Sequence, residues 1–152
     1  MTNGTTNVCW VLLSPGVFKK AARQKKAEGK EFNFYHFKVD LNGGPCVYKR
    51  ISGCGAGFEY VAITPQGEVY PCHQFVGKEE YKLGSIYDDS YNADLGMSFK
   101  KAHIYNKPKC RNCWARFYCS GGCQANNIAF NNDINNPYDI GCQMQKKRIE
   151  CA

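Results

Sequence analysis

The first part of the chain carries a helical pattern followed by a pattern typical of a strand. Ser14 and Pro15 form a helix-start signal, and apolar residues then recur at helical spacing as far as Gly29. Between residues 32 and 41, aromatic and polar positions alternate in part, which predicts a strand ended by an Asn-Gly-Gly-Pro turn. Cysteine spacing typical of a metal site does not occur here, so we expect residues 1–45 to be separate from the rest.

The pattern changes at Cys46, where a loop-rich and cysteine-dense segment begins. Alternating positions predict a strand from Phe58 to Thr64 and a returning strand from Glu68 to Tyr70. Pro65-Gln66-Gly67 supplies turn residues between these two strands. The sequence therefore predicts a β-hairpin that delivers Cys72.

Helical patterns flank a polar connector in the last third of the chain. We expect a helix from Tyr91 to Ile104 and a last helix from Ile140 to Cys151, which would carry Cys142 near its start. The Asn-rich stretch 126–137 between them is interpreted as a connector. Together these elements predict a small, loop-rich α+β domain over residues 46–152.

Cysteine content changes this picture more than any other aspect of composition. The chain has ten cysteines, yet it shows no secretory signal and no apolar run near the roughly 20 residues that span a bilayer. We therefore expect a cytoplasmic protein with no membrane partner. Because the cytosol keeps thiols reduced, metal binding explains these cysteines better than disulfides do. The formal charge of +7 counts metal-binding cysteines as neutral, so it does not indicate nucleic acid as a partner.

Seven of the cysteines form one ordered pattern. Four of them lie close together as Cys110-x2-Cys113-x5-Cys119-x3-Cys123, and the others are Cys54, Cys72 and Cys142. Short gaps of this kind let one loop wrap several ligands around a single metal centre. Zinc sites also use paired cysteines, so the spacing alone leaves iron–sulfur and zinc sites near parity.

The complete pattern resembles the seven-cysteine SPASM signature. Its first part is Cys54-x12-Gly67-x4-Cys72, followed by the four-cysteine run and then Cys142. The resemblance implies a domain organised around two auxiliary [4Fe-4S] clusters that follows a radical S-adenosylmethionine barrel. By position, the ligands of the first cluster would be Cys54, Cys72 and Cys123, and those of the second Cys110, Cys113, Cys119 and Cys142. Residues 1–45 would then be a remnant of that partial barrel, its last helix and strand with a linker.

Local sequence over roughly residues 40 to 151 is similar to the maturases of "six-cysteine in forty-five residues" peptides. The matching stretches are Gly43-Gly44-Pro45-Cys46-Val47-Tyr48-Lys49-Arg50, Cys54-Gly55-Ala56-Gly57, Tyr70-Pro71-Cys72-His73-Gln74-Phe75-Val76-Gly77 and Cys113-Trp114-Ala115-Arg116-Phe117-Tyr118-Cys119-Ser120-Gly121-Gly122-Cys123. Enzymes of this family form thioether cross-links in ribosomally made precursors. The resemblance therefore implies a Cys-rich precursor peptide and a reducing electron donor as partners.

The chain has no CxxxCxxC loop, the motif whose three thiolates hold the radical-generating cluster in such enzymes. We therefore expect it to support catalysis through substrate binding and electron transfer, with S-adenosylmethionine bound only in a full-length enzyme. One alternative is a free-standing electron carrier, although the usual ferredoxin spacing is absent. Another is a zinc-stabilised interaction module, and zinc could also enter a fragment prepared in air.

A few further positions have roles that the sequence leaves open. His73 stands where sulfatase-maturating enzymes have an Asp, which argues against formylglycine formation and favours a surface role over proton relay. Cys46 is either a fourth ligand of the first cluster, or that iron is open to a substrate thiol. Cys9 and Cys151 are most simply buried or free thiols. The small residues of Ser120-Gly121-Gly122 are expected to let backbone amides approach sulfur atoms.

Overall fold

The computed structural model describes residues 15–30, 40–41, 43 and 46–151. The chain divides into two compact units, one formed by residues 1–44 with 140–152 and the other by residues 45–139. The described residues form seven α-helices and a three-stranded antiparallel sheet, which confirms the predicted α+β class. None of these helices is both long and apolar enough to cross a membrane.

The predicted N-terminal helix is present. Helix α1 spans Pro15–Ala27 and is followed by Gly29, whose φ of 66° lies in the left-handed region that glycine adopts without steric cost. The cap residue Ser14 lies outside the described residues, as does most of the strand expected over 32–41. The described end of that stretch, residues 40–41, is not in a strand.

The predicted hairpin is present and gains a third strand. Its strands are β1 (Ala62–Ile63), β2 (Glu68–Tyr70) and β3 (Gly84–Ser85). The central strand β2 pairs antiparallel with both neighbours, and Val69 lies opposite Gly84. The hairpin turn closes through the Gly67 N–H, which donates to the Thr64 carbonyl at 2.9 Å. The sequence did not predict β3, because a strand of two residues has no periodicity to detect.

The first hairpin strand is shorter than the predicted range 58–64. The N–H groups of Phe58, Glu59 and Tyr60 all donate to the Gly55 carbonyl, at 3.2, 2.8 and 3.2 Å. This tight turn depends on a φ of 71° at Gly55, a value that glycine adopts readily. The prediction of a strand over these three residues was therefore wrong, because local turn bonds replace the strand ladder.

Five helices in the 45–139 unit carry or flank the cysteines. They are α2 (Val47–Ser52), α3 (Ala93–Lys101), α4 (Pro108–Arg111), α5 (Arg116–Cys119) and α6 (Gln124–Asn131). Helix α3 confirms, in a shorter form, the helix predicted over residues 91–104. It begins after Asn92, whose Oδ1 accepts a hydrogen bond from the Leu95 N–H at 2.9 Å. The shortest helices were not predicted, because one or two turns contain too few residues for a periodic pattern.

The Asn-rich stretch 126–137 was predicted to be a connector, which is wrong for its first half. Residues up to Asn131 belong to α6. Asn127 is buried, its Nδ2 donates to the Ile134 carbonyl at 3.2 Å, and its Oδ1 accepts from the Tyr138 N–H at 3.1 Å. Asparagine has a low helix propensity, and these tertiary hydrogen bonds override it.

The last helix of the chain, α7, spans Asp139–Cys151 and contains Cys142, as the sequence predicts. Asp139 lies in its first turn and Arg148 in its last. Both charges are favourable there, because the N-terminal end of a helix attracts negative charge and the C-terminal end attracts positive charge.

The hydrophobic core of the 45–139 unit contains one of the predicted metal ligands. Its buried members are Ala56, Tyr70, Cys72, Phe75, Phe99 and Ala125. The Phe75 ring meets the Phe99 ring edge to face with centroids 5.3 Å apart, and its centroid lies 4.6 Å from that of Tyr81. The packing that stabilises this unit therefore also holds Cys72 in place.

Replacing Phe75 by alanine is expected to lower the free energy of unfolding by about 3–5 kcal/mol, because a 1% exposed ring is removed and a cavity remains. Urea denaturation of anaerobically prepared protein measures this change. The matched control is Val76→Ala, since Val76 is 45% exposed and should change the unfolding midpoint little. A Phe75→Ala cost equal to that of the control would contradict the assignment of the core.

Candidate metal centre

The four-cysteine run folds into two short helices and the turns around them. Cys110 lies in α4, and the Cys113 N–H donates to the Cys110 carbonyl at 3.0 Å. Cys119 is the last residue of α5, and Cys123 precedes α6 as its N-cap residue. Each of these cysteines therefore sits at, or next to, a helix end that fixes its backbone.

Three successive residues between Cys119 and Cys123 have a left-handed conformation. Their φ values are 57° at Ser120, 85° at Gly121 and 74° at Gly122. The N–H groups of both glycines donate hydrogen bonds to the Cys119 sulfur. Burial raises the pKa of the Cys119 thiol, and the two amides oppose this effect because they stabilise the thiolate. The small residues thus let two amides approach a cysteine sulfur, while the approach of amides to cluster sulfur atoms stays a prediction.

The contact between α2 and α5 brings Cys54 towards this loop. The Arg50 guanidinium lies 5.8 Å from the centroid of the Tyr118 ring, which adds a cation–π contact between the two helices. Gly53 has a φ of 72°, and a β-carbon there would lie 3.2 Å from the Ser120 carbonyl oxygen. Glycine at this position therefore permits the close approach of the two loops.

Tyr60 connects two of the predicted ligands of the first cluster. Its hydroxyl forms a hydrogen bond with the Cys72 sulfur and accepts one from the His73 N–H. Partial burial raises the pKa of Tyr60, and negative charge on Cys72 and Cys54, when these are ionised, raises it further. His73 is exposed, which agrees with the surface interpretation of its side chain.

A second polar side chain reaches the remaining cysteine of the first predicted ligand set. The Gln74 Nε2 atom donates to the Cys123 sulfur at 3.6 Å. Cys54 and Cys123 are exposed, whereas Cys72 is buried. Tyr60 therefore contacts the buried Cys72, and Gln74 contacts the exposed Cys123.

Lys107 is a fully buried cation beside the cysteines. It is 0% exposed, and its Nζ donates to the Gly121 carbonyl at 2.9 Å. Burial lowers the pKa of Lys107, and the negative charge that nearby cysteines carry when they are ionised opposes that effect. Those cysteines are Cys110, Cys119, Cys123 and Cys54.

The remaining cysteines have different environments. Cys46 is exposed and precedes α2, whereas Cys142 is half-buried and lies in α7. Cys9 lies outside the described residues, and Cys151 is described only as the last residue of α7. Among the described residues, no group of three His, Cys, Asp or Glu side chains has the arrangement of a metal site. The assignment of ligands to two clusters therefore stays a prediction.

The surroundings of the sulfur atoms fit an iron–sulfur centre. Eight described cysteines are thiols, and none of the eight is in a disulfide. Amide N–H groups donate to the sulfur atoms of Cys119 and Cys123, and the buried Lys107 ammonium interacts electrostatically with four of the cysteines. Iron–sulfur clusters are held by Cys thiolates, and hydrogen bonds and charges around the sulfur atoms set their reduction potentials.

Sequence reasoning did not identify Lys107, Tyr60 and Gln74 as part of the site. Tyr60 was predicted to lie in a strand, whereas it follows a turn and its hydroxyl forms a hydrogen bond with the Cys72 sulfur. The sequence weakly indicated that Lys107 precedes a short helix, because Pro108 favours the first turn of a helix and Cys110 follows within that turn. No signal in the sequence indicated that the Lys107 side chain would be buried.

Residues 54–114 match the family model of SPASM, an iron–sulfur cluster-binding domain. This match confirms, for residues 54–114, the resemblance to the SPASM family that was drawn from cysteine spacing. The matched segment contains four of the predicted ligands, namely Cys54, Cys72, Cys110 and Cys113. The other three lie beyond its end.

Several named proteins are similar to part of the chain. The antilisterial bacteriocin subtilosin biosynthesis protein AlbA of Bacillus subtilis is 37% identical over 46% of this chain and 13% of its own length. A cysteine-type anaerobic sulfatase-maturating enzyme of Clostridium novyi is 33% identical over 65% of this chain and 28% of its own length. The PqqA peptide cyclase of Methylorubrum extorquens is 30% identical over 64% and 26%, respectively. The chain thus spans less than a third of each relative.

Replacing Gly121 by alanine is expected to destabilise the protein more than the same change at Gly77. Both glycines have left-handed φ values, 85° and 81°, so each substitution should cost about 1–2 kcal/mol from backbone strain. At Gly121 the new β-carbon would also lie 3.2 Å from the Lys107 Nζ, whereas nothing lies within 4 Å at Gly77. Urea denaturation of the two variants measures the difference. Equal costs would show that the Gly121 loop is not packed against Lys107.

Proposed function

We propose that residues 46–152 are the auxiliary-cluster region of a radical S-adenosylmethionine enzyme that modifies a ribosomally synthesised, Cys-rich peptide. In this proposal the region holds two [4Fe-4S] clusters, supports binding of the peptide and passes electrons from a reducing donor. The ligands are Cys54, Cys72 and Cys123 for the first cluster, and Cys110, Cys113, Cys119 and Cys142 for the second. Residues 1–45 would be the end of the radical-generating barrel and its linker.

The observation that carries this proposal is the convergence of polar donors on sulfur atoms from both ligand sets. Gln74 donates to Cys123 of the first set, and the Gly121 and Gly122 amides donate to Cys119 of the second. Such donors stabilise thiolates and tune a bound cluster. The SPASM match over residues 54–114 supports iron–sulfur in preference to zinc.

The residues of the chain have distinct tasks in this proposal. When bound, the clusters supply one-electron transfer. The second ligand set is the more shielded, because Cys110 is buried and both Cys113 and Cys119 are half-buried. The first set includes the exposed Cys54 and Cys123, so a peptide could reach it from solvent.

A peptide substrate is supported by the names of the similar proteins. They describe bacteriocin biosynthesis, sulfatase maturation and peptide cyclisation, all of which concern polypeptides. The finer proposal, thioether formation, rests on the local resemblance to maturases of six-cysteine peptides. The exposed Cys46 is either a fourth ligand of the first cluster, or one iron of that cluster is open to a substrate thiol.

Anaerobic reconstitution is expected to give about eight iron and about eight sulfide per chain, as two [4Fe-4S] clusters require. Cys54→Ala and Cys142→Ala should each lower the iron content by about half, because each removes a ligand of a different cluster. Iron, sulfide and zinc analysis, with Mössbauer spectroscopy, measures this. The Cys46→Ala variant is a separate test, because its iron content decides whether Cys46 is a ligand.

Two results would contradict the proposal. One is stoichiometric zinc with no sulfide in oxygen-free material, which would indicate a zinc-stabilised module. The other is the loss of a single, shared cluster in both variants, which would indicate one metal centre. Two intact clusters in a protein with no in-frame CxxxCxxC segment encoded nearby would instead support a free-standing electron carrier.

Addition of a Cys-containing precursor peptide is expected to change the EPR spectrum of the first cluster in the reduced, reconstituted chain. A thiolate that binds an open iron alters the electronic structure of that cluster. The control peptide carries Ser in place of each Cys, and it should leave the spectrum unchanged. Identical spectra with both peptides would contradict thiolate binding and, with it, the thioether step at this cluster.

A further inference from the structure

Lys107 is fully buried, and the acidic groups that interact with it in the described part of the chain are cysteines. A buried ammonium is costly unless negative groups compensate its charge. The neighbouring Lys109, by contrast, has a side chain that is 52% exposed and lies 3.0 Å from the Asp139 carboxylate. Burial is therefore specific to Lys107 and is not shared by the neighbouring Lys109.

The sulfur atoms around Lys107 come from both predicted ligand sets. Cys54 and Cys123 belong to the first set, and Cys110 and Cys119 belong to the second. Lys107 also donates to the Gly121 carbonyl at 2.9 Å, inside the loop that joins ligands of the two sets. The Lys107 side chain therefore interacts with cysteines that are assigned to both predicted centres.

We propose that Lys107 is an electrostatic positioning residue that raises the reduction potential of both iron–sulfur centres. This inference rests on the proposed function. Reduction adds one electron from an external low-potential donor to a centre, and no bond forms or breaks at Lys107. A fixed positive charge nearby stabilises the reduced, more negative state more than the oxidised state.

The competing explanation is that Lys107 has a purely structural role through its hydrogen bond to Gly121. Glutamine can retain a donor to that carbonyl but carries no charge, whereas methionine retains the apolar stem and loses both. If the charge matters, both substitutions shift the potentials alike. If only the hydrogen bond matters, glutamine restores the wild-type behaviour.

The test is an EPR-monitored redox titration with dithionite on the anaerobically reconstituted chain, carried out on Lys107→Met and Lys107→Gln. For each centre we expect about a tenfold fall in the one-electron reduction equilibrium constant, equivalent to about 59 mV towards negative potential. Lys109→Met is the matched control and should leave both potentials near the wild-type values, because its charge is solvated and screened.

Unchanged potentials in both neutral variants, with iron content intact, would overturn this inference without affecting the proposed function. A shift in methionine but not in glutamine would also overturn it. If neither neutral variant retains iron, Lys107→Arg decides the matter: retention of iron by arginine supports the charge, and loss counts against it. Wild-type protein that contains zinc and no sulfide is a failure of the proposed function itself.

Discussion

A buried ammonium group requires nearby negative charge, because transfer of an uncompensated charge out of water costs several kcal/mol or more. In the 45–139 unit this requirement falls on Lys107, and nearby cysteines supply negative charge when they are ionised. The loop 119–123, the turn at Cys54 and the start of α4 all contribute to that environment. Ionisation of these cysteines is therefore coupled to the conformation of the loops, and the thiolate is the form of cysteine that binds metal.

Elements with clear sequence signals were predictable. Helices α1 and α7 have long helical patterns, and the hairpin has turn residues at Gly67 between two short apolar runs. The Asn-rich stretch misled the prediction, because the buried hydrogen bonds of Asn127 depend on residues that fold back from beyond the helix. Tertiary contacts of this kind decide local structure against propensity, and they are not visible in a linear pattern.

The candidate site also has a part that the sequence predicts and a part that it does not. Cysteine spacing is a one-dimensional property, and it was enough to indicate the family that the segment 54–114 matches. The groups that surround the sulfur atoms are not encoded by spacing: Tyr60 reaches Cys72 from a turn, and Lys107 reaches the loop at Gly121 from a helix start. The groups that contact a metal ligand come from whichever chain segments the fold brings near. A three-dimensional structure is therefore needed to identify them.

The membership of Cys72 in the hydrophobic core bears on how the protein is assembled. A neutral cysteine behaves as a small apolar side chain, so the nascent polypeptide can pack Cys72 beside Phe75 and Phe99 before any inorganic cofactor arrives. This differs from small zinc domains, whose apo forms are unfolded because the metal replaces the core. Here maturation would proceed on a scaffold that is already built, and a chain awaiting its cofactor would keep its apolar interior hidden from chaperones and proteases.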